Sequence, residues 1–349
     1  MKRQIIFIIV VLLLAFSCKP KDEIYTPTPY VLTIPTGFPN PKVTTNNPLT
    51  FEGINLGRHL FYDKNLSRDN TQSCSSCHNQ AFAFSDNGKK FSRGIDGIEG
   101  NRNANTIINL AFKDKFFWEG RTQGLENQTV EPVENPVEMH NTWENAVNQL
   151  KNANYVDYET LFLKAFGTKG ITKERVGKAM AQFLRTIISS NSKYDKFIRQ
   201  EISLTPSELN GLQIYNTEKG DCFHCHSLDA EQLLTDNKFH NNGLDAVFTD
   251  LGLANVTNNA NDRGKFMTPT LRNIEKSTPY MHDGRFNTLE EVVNHYNSGG
   301  VASPTIDPLM KHVGDGLLLT GQEKKDLINF LKTLSDTDFL NNPNYKSPF

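Results

Sequence analysis

The sequence predicts a mainly α-helical protein, and three stretches carry that prediction. From Val176 to Ile187, apolar residues recur at intervals of three and four, the spacing of one buried helical face. Thr205-Pro206-Ser207-Glu208 and Thr320-Gly321-Gln322-Glu323 each match a capping box, so each predicts the start of a helix. Segments with the two-residue alternation of a strand are scarce, and residues 238–263, rich in Asn, Asp and Gly, are typical of a loop.

The chain is long enough to form two domains. Its 349 residues compare with roughly 100–200 for an ordinary domain. We expect residues 49–195 and 196–349 to form the two domains, preceded by an export signal at 1–17 and a Pro-rich tether at 18–48. The formal net charge is only −2, without the basic stripe that nucleic-acid binding requires, so no nucleic-acid partner is expected.

The N-terminus has the pattern of an export signal. Lys2 and Arg3 precede an apolar run over residues 5–16, which is shorter than the ~20 residues needed to span a bilayer. The run ends in Leu14-Ala15-Phe16-Ser17-Cys18, which resembles a bacterial lipoprotein cleavage box. The sequence therefore predicts an exported lipoprotein, periplasmic or at the cell surface, anchored by lipid on Cys18. The alternative is an ordinary signal-peptidase site that leaves Cys18 as a free thiol.

Two copies of one pentapeptide pattern dominate the chemistry. Cys74-Ser75-Ser76-Cys77-His78 and Cys222-Phe223-His224-Cys225-His226 each place two thiols three residues apart, with an imidazole directly after the second. This is the attachment signature of c-type haem, in which the thiols bond covalently to the porphyrin and the His ligates its iron. We therefore expect two covalently bound haem c groups, one in each of two cytochrome c-like helical domains.

Other uses of paired cysteines fit the pattern less well. Two Cys-x-x-Cys pairs could together hold one zinc ion, but zinc does not account for a His directly after each pair. A thioredoxin-like redox pair would need a βαβ context, which neither motif has.

The surroundings of the first motif resemble a known family. They resemble the N-terminal half of the bacterial di-haem cytochrome c peroxidases and of MauG, and the resemblance extends from about Asn55 to Gly300. The segments that carry it begin with Leu56-Gly57-Arg58-His59 and continue, in family order, with Ala83-Phe84-Ser85-Asp86, Arg102-Asn103-Ala104-Asn105-Thr106, Phe117-Trp118-Glu119-Gly120-Arg121, Gln128, Pro132 and Glu138.

The resemblance implies roles for three of these residues. Glu138 would be the distal acid and base that moves a proton during peroxide cleavage, and Gln128 would help to shape the distal pocket. Trp118 would lie between the two haems and carry electrons. Considered without the resemblance, Glu138 could be an ordinary loop charge and Trp118 an ordinary core residue.

The two haems are expected to divide the work. Many di-haem peroxidases carry a His in the loop after the first motif that blocks the iron, but residues 79–101 contain no His. This absence predicts an open, peroxide-reactive haem on His78 and an electron-transfer haem on His226. For the sixth ligand of the second iron, the position of the Met in classical peroxidases is occupied by Tyr296, as in MauG-type proteins; Met281 is the alternative.

The resemblance further implies an enzyme that reduces hydrogen peroxide to water with electrons from a small cytochrome or similar donor. A MauG-like enzyme that oxidises residues of a partner protein is the first alternative, and a non-catalytic electron carrier is the second. The family also implies a calcium ion held by Asn103 and by backbone oxygens near Ser277 and Pro279, and it includes many homodimers.

Overall fold

The protein is mainly helical. The computed structural model describes residues 24–228 and 233–349, so the predicted export signal and Cys18 lie outside the described residues. The helices of the N-terminal half are α1 (Phe51–Tyr62), α2 (Leu125–Gln128), α3 (Glu131–Glu134), α4 (Trp143–Lys151), α5 (Tyr158–Phe166), α6 (Lys173–Arg185) and α7 (Lys193–Ile198). Those of the C-terminal half are α8 (Pro206–Tyr215), α9 (Ala254–Thr257), α10 (Leu289–Asn297), α11 (Gly321–Lys332) and α12 (Thr337–Asn341).

The described strands are short and form two antiparallel pairs. β1 (Lys115–Phe116) pairs with β2 (Thr122–Gln123), and Lys115 lies opposite Gln123. β3 (Phe239–His240) pairs with β4 (Phe266–Met267), and Phe239 lies opposite Met267. Both pairs lie near the boundary between the two halves of the chain, because the backbone N–H of Met267 donates to the carbonyl oxygen of Trp118 at 2.8 Å.

The helix starts predicted from the sequence are confirmed. The Thr205 and Thr320 side chains cap α8 and α11, and Glu208 and Glu323 complete the two capping boxes. Helix α6 begins after the Thr172 cap, and its apolar face is buried. Its residues meet α1 in the N-terminal core, as the three-and-four spacing indicates.

Each half contains a pair of helices that cross at a glycine. A Cβ on Gly57 of α1 would lie 2.0 Å from the carbonyl oxygen of Ala179 in α6. A Cβ on Gly211 of α8 would lie 2.0 Å from the carbonyl oxygen of Asp326 in α11. Because only a residue without a Cβ permits so close an approach, the two halves rely on the same packing device.

The C-terminal segment returns to the N-terminal half. Phe339 of α12 and Tyr345 are buried in the same core as Phe61 and Phe84. Their rings make edge contacts, with centroids 5.8 Å apart between Phe84 and Phe339. No periodicity in residues 337–345 predicts this return.

The Pro-rich segment packs against the protein over its described part. The Tyr25 hydroxyl and the Thr28 backbone N–H both donate to the Glu52 carboxylate, at 2.9 and 2.8 Å. Tyr30 N–H donates to the carbonyl oxygen of Leu49, and Asn47 is buried against α6. Hydrogen bonds to α1 and α6 therefore hold these residues of the expected Pro-rich tether against the N-terminal half.

A buried ion pair joins the two halves and allows a stability prediction. Arg272 donates to both carboxylate oxygens of Asp195, at 2.8 and 2.9 Å, and both side chains are buried. Burial alone would raise the pKa of Asp195, but these hydrogen bonds hold it below its usual value. The contribution of the pair to stability is therefore present above the unfolded-state pKa and is lost as the pH falls through the lower folded-state pKa.

We expect Arg272→Met to lower the free energy of unfolding by about 3–5 kcal/mol at neutral pH, because it leaves a buried carboxylate unpaired. Urea unfolding of the haem-loaded protein measures the change. Arg93→Met is the control, since Arg93 and Glu99 form an exposed pair whose loss costs about 0–1 kcal/mol. Equal losses in the two variants would contradict the prediction.

Among the helices that the structure describes, none combines the length and the apolar character needed to cross a bilayer.

Candidate haem-binding active site

The C-terminal half encloses a large, mostly apolar cavity beside the second motif. Cys222, Cys225 and His226 line it, and so do both candidate sixth ligands, Tyr296 and Met281. Its apolar wall also includes Leu271, Ile274, Leu289, Val292, Val293, Leu327 and Leu331. An apolar slot with two thiols and an imidazole on one wall is suited to a covalently attached porphyrin, so these residues fit a haem c group.

The two motif histidines are oriented in the same way. Nδ1 of His78 lies 2.8 Å from the carbonyl oxygen of Phe84, and Nδ1 of His226 lies 3.0 Å from that of Leu234. A carbonyl partner requires Nδ1 to carry the proton, which leaves Nε2 free to ligate iron. Burial lowers the pKa of both imidazoles, so both are kept in the neutral form that binds metal.

The carbonyls that orient these imidazoles belong to residues with unusual backbone conformations. Phe84 has φ 57° and Leu234 has φ 56°, both in the left-handed region that bulky residues rarely adopt. Such strain persists only where the surrounding structure enforces it, and it clusters at functional sites. Its presence at both equivalent positions supports the assignment of His78 and His226 as iron ligands.

The first motif lies between the two cores of the N-terminal half, and Cys74 packs against both. Three buried polar atoms in the described residues have no hydrogen-bond partner: Asp86 Oδ2, Ser92 Oγ and Trp143 Nε1. Burial raises the pKa of the Cys77 thiol, and the charge of Asp86 raises it further, so Asp86 lies near this thiol. A buried carboxylate oxygen without a partner therefore lies near the first motif, where a further hydrogen-bond donor would satisfy it.

Glu138 faces the first motif. Burial and then the Glu138 charge raise the pKa of the Cys74 thiol, and Glu138 also acts on Cys77. Burial raises the pKa of Glu138 itself, although the Asn135 amide donates to its Oε1 at 2.6 Å and the Arg121 charge opposes the rise. A carboxyl group with a raised pKa holds its proton to a higher pH than an exposed Glu does, which suits it to both accepting and donating a proton.

In the part of the chain that the structure describes, Gln128 is not hydrogen-bonded to Glu138. It is the last residue of α2, is half-buried, and donates its backbone N–H to the carbonyl oxygen of Gly124 at 3.2 Å.

The loop over residues 79–101 brings no imidazole to the first site. His140, the next His in the sequence, is hydrogen-bonded to the Asp96 carboxylate, and its side chain is 41% exposed. Arg68 also contacts this His140–Asp96 pair, because its Nη1 lies 3.0 Å from His140 Nδ1. These contacts hold the His140 imidazole at the surface, which agrees with an open first haem.

Trp118 stands where the two halves meet. Its indole N–H donates to the carbonyl oxygen of Asn103 at 2.8 Å, and its ring lies 6.5 Å from that of His282. It lines the cavity of the second motif and also a smaller cavity that shares Thr268 and Pro269 with the first. This position supports a path for electrons through Trp118.

An ionic network next to Trp118 also links the two halves. Arg102 pairs with Glu119 and makes two hydrogen bonds to Asp250, at 2.7 and 2.9 Å. Arg121 donates to the other oxygen of Glu119 at 2.8 Å. The network therefore extends from Asp250 in the C-terminal half to Arg121, whose charge acts on Glu138.

The two candidate sixth ligands, Tyr296 and Met281, both contact the side-chain amide of Asn242. Asn242 Nδ2 lies 3.1 Å from the Tyr296 hydroxyl oxygen and 3.4 Å from Met281 Sδ. Burial raises the pKa of Tyr296 to about 12. His295 Nε2 lies 3.0 Å from the Asn242 carbonyl oxygen, and His282 stacks on Phe266 with ring centroids 3.7 Å apart.

Sequence reasoning missed Asn242, because it lies in the segment treated only as a loop. A polar side chain in such a segment has no periodicity to mark it. The antiparallel pairing of β3 with β4 is what carries the adjoining chain to the cavity.

The candidate calcium residues share one wall of the large cavity. Asn103, Ser277 and Pro279 all line it. Asn103 is buried and donates its side-chain amide to the carbonyl oxygens of Lys89 and Lys90, at 3.1 and 3.2 Å. These hydrogen bonds use the amide nitrogen of Asn103, and its amide oxygen is of the ligand type that calcium prefers.

The comparisons with known proteins agree with this geometry. The family model described as "Di-haem cytochrome c peroxidase" matches residues 51–203. The cytochrome-c peroxidase IdrP1 of Pseudomonas sp. (strain SCT) is 33% identical, over 85% of this chain and 84% of its own length. The methylamine utilization protein MauG of Methylorubrum extorquens is 35% identical, over 86% of this chain and 82% of its own. A crystal structure of a MauG-like protein associated with microbial copper homeostasis superimposes with a TM-score of 0.84, at 35% identity, over 91% of this chain and 99% of that one.

Two haem attachment motifs with matching proximal geometry, together with relatives that align over most of both chains, place this protein in the family of di-haem cytochrome c peroxidases and MauG.

Proposed function

We propose that this protein is a di-haem peroxidase that reduces hydrogen peroxide to water with electrons from a small c-type cytochrome. The buried carboxyl group of Glu138, with its raised pKa, beside Cys74 and Cys77 is the observation that carries the proposal. Relatives named cytochrome-c peroxidase, at 33% identity over most of the chain, support the same activity.

Cys74, Cys77 and His78 would hold the reactive haem, which would supply the iron chemistry for cleavage of the peroxide O–O bond. Glu138 would take a proton from one peroxide oxygen and deliver it to the other, which leaves as water. Gln128 helps to shape the pocket around the bound peroxide. The surrounding apolar cores exclude bulk water, which keeps the pKa of Glu138 raised.

Cys222, Cys225 and His226 would hold the second haem, which would supply the redox centre for electrons from the donor. Trp118 would carry electrons between the two sites, and its position supports this role, because it belongs to the N-terminal half and lines the second cavity. The division into an N-terminal peroxidatic domain, 49–195, and a C-terminal electron-transfer domain, 196–349, follows these two roles, with residues 339–345 returning to the first core.

A MauG-like activity on a partner protein is the second candidate, and Tyr296 is the observation that favours it. Its hydroxyl shares Asn242 with Met281 Sδ at the cavity, and a phenolate ligand lowers the potential of haem iron, whereas a thioether raises it. MauG of Methylorubrum extorquens is as similar to this chain as the peroxidases are.

We also propose a calcium ion held by Asn103 and by backbone oxygens near Ser277 and Pro279. Excess EGTA should slow turnover and added Ca²⁺ restore it, whereas turnover that EGTA leaves unchanged contradicts the ion.

We further propose a lipid anchor on Cys18. Mass spectrometry of the mature protein tests it, and a mass without a lipid on Cys18 contradicts the anchor.

One experiment tests the peroxidase and separates it from its alternatives. The purified haem-loaded protein is mixed with hydrogen peroxide and its haem spectrum recorded, after which reduced cytochrome c is added. We expect an immediate spectral change and then rapid oxidation of the cytochrome. A spectral change with slow cytochrome oxidation favours action on a partner protein, and an unchanged spectrum favours a pure electron carrier.

A further inference from the structure

A pair of tyrosines in the N-terminal half shares one buried carboxylate. Asp63, at the end of α1, is 1% exposed, and its two oxygens accept from two phenols. The Tyr158 hydroxyl donates to Oδ2, and the Tyr155 hydroxyl donates to Oδ1 at 2.7 Å. Asn65 Nδ2 lies 2.7 Å from the Tyr155 oxygen and fixes it further.

The two tyrosines differ in exposure, and Asp63 lies between them. Tyr158 is 1% exposed and belongs to the same hydrophobic core that Cys74 packs against. Tyr155 is 56% exposed. Asp63 therefore connects the core beside the first haem motif with the protein surface.

Two phenols that share one carboxylate can pass oxidising equivalents from one to the other. Oxidation of a phenol by one electron makes its O–H proton strongly acidic, so the electron leaves readily only where a base can accept the proton. The Asp63 carboxylate is such a base for both phenols, and it can return the proton to Tyr158 when Tyr155 becomes the oxidised residue. Burial and then the Asp63 carboxylate raise the pKa of both tyrosines, so each carries the proton that this step requires.

The outer end of the relay presents an aromatic surface. The Tyr155 ring makes an edge contact with Phe349, with centroids 5.7 Å apart, and Phe349 contacts the His59 ring at 5.5 Å. Phe349 is 57% exposed. A planar aromatic molecule can stack on this surface within reach of the Tyr155 hydroxyl.

We propose that Tyr158, Asp63 and Tyr155 form a relay through which the peroxidase oxidises small aromatic reductants of the hydroquinone class at its surface. The inference rests on the proposed function, because hydrogen peroxide supplies the oxidising equivalents. Tyr158 gives one electron to the oxidised haem domain and its proton to Asp63. Tyr155 then passes one electron to Tyr158, while Asp63 returns the proton to Tyr158 and takes that of Tyr155. The hydroquinone gives one electron to Tyr155, which recovers its proton from Asp63, and the hydroquinone proton goes to solvent, which supplies one proton in turn to the water formed from peroxide. Reduction of one hydrogen peroxide takes two electrons, so two such transfers are needed. In total, H₂O₂ and two hydroquinones give two waters and two semiquinone radicals.

The test compares two donors in the haem-loaded protein, hydroquinone and reduced cytochrome c. We expect Tyr155→Phe and Tyr158→Phe each to lower kcat/KM for hydroquinone by about tenfold or more and to leave cytochrome oxidation within about twofold of the parent. Tyr25→Phe is the matched control, because Tyr25 also donates to a carboxylate, that of Glu52 at 2.9 Å, but does not belong to the core beside Cys74. It should keep both activities.

A spectroscopic readout accompanies the kinetics. After peroxide is added without a donor, electron paramagnetic resonance of a frozen sample should show a tyrosyl radical in the parent and in Tyr25→Phe, and none in Tyr158→Phe. Hydroquinone oxidation and a radical signal that are unchanged in both relay variants overturn the relay. A parent protein that oxidises cytochrome c but not hydroquinone also overturns it, whereas a parent inert to peroxide overturns the proposed peroxidase function.

Discussion

Glu138→Gln should lower kcat for peroxide reduction by about 10²–10⁴, the range that a positioned general acid and base contributes. The amide keeps the size of the side chain and can still accept the hydrogen bond from Asn135. It cannot take up and return a proton. Binding of peroxide should change less than kcat, because the missing proton transfer belongs to the transition state. Steady-state oxidation of reduced cytochrome c measures the effect.

The pH profile provides an independent check. Burial raises the pKa of Glu138, and the group must be ionised to accept a proton from peroxide. The parent should therefore lose activity as the pH falls through a pKa above the usual value of about 4.3 for Glu. This acid limb should be absent from Glu138→Gln.

Glu134→Gln is the matched control. Glu134 lies in the same Pro-punctuated segment, but it is exposed and pairs with Lys173 at 2.6 Å. It should retain nearly full activity, since exposed pairs contribute about 0–1 kcal/mol. A Glu138→Gln protein as active as Glu134→Gln would remove Glu138 from the mechanism.

Tyr296→Met should raise the reduction potential of the second haem by hundreds of millivolts, within the ~0.8 V range that axial ligands span. The expected direction follows from the ligands, because a thioether favours reduced iron and a phenolate favours oxidised iron. Asn242 lies within 3.1 Å of the phenolic oxygen and can also contact a thioether, as it does that of Met281 at 3.4 Å. Spectroelectrochemical titration of the haem-loaded protein measures the potential.

Met281→Leu separates the two candidate ligands. If Tyr296 ligates the iron, this variant should leave the potential and the spectrum of the second haem nearly unchanged, since Leu keeps the apolar volume. A large change in Met281→Leu together with no change in Tyr296→Met would assign the iron to Met281 instead.

The parts of this fold that are local in sequence were the most predictable. The capping boxes at Thr205 and Thr320 and the apolar face of α6 depend on residues a few positions apart, and the structure confirms all three. The haem attachment residues are equally local, since their chemistry is set by five consecutive positions. Glu138 required the family resemblance, because a carboxylate in a Pro-rich loop has no pattern that distinguishes it from a solvated charge.

Features that depend on distant parts of the chain could not be predicted. The contact of Asn242 with Tyr296 spans 54 residues, and that of Tyr155 with Asp63 spans 92. Nothing in the spacing of such residues indicates that they meet, because helix crossings and loop paths bring them together. The docking of Tyr25 and Thr28 on Glu52 was missed for a related reason: proline content indicates an extended chain but not what that chain packs against.

The return of Phe339 and Tyr345 to the core of Phe61 and Phe84 also bears on local opening of the protein. Because these two rings complete a core against which Cys74 packs, that core is incomplete whenever residues 339–345 detach. We therefore expect detachment of the C-terminal segment to loosen the first haem site, although the two are far apart in sequence.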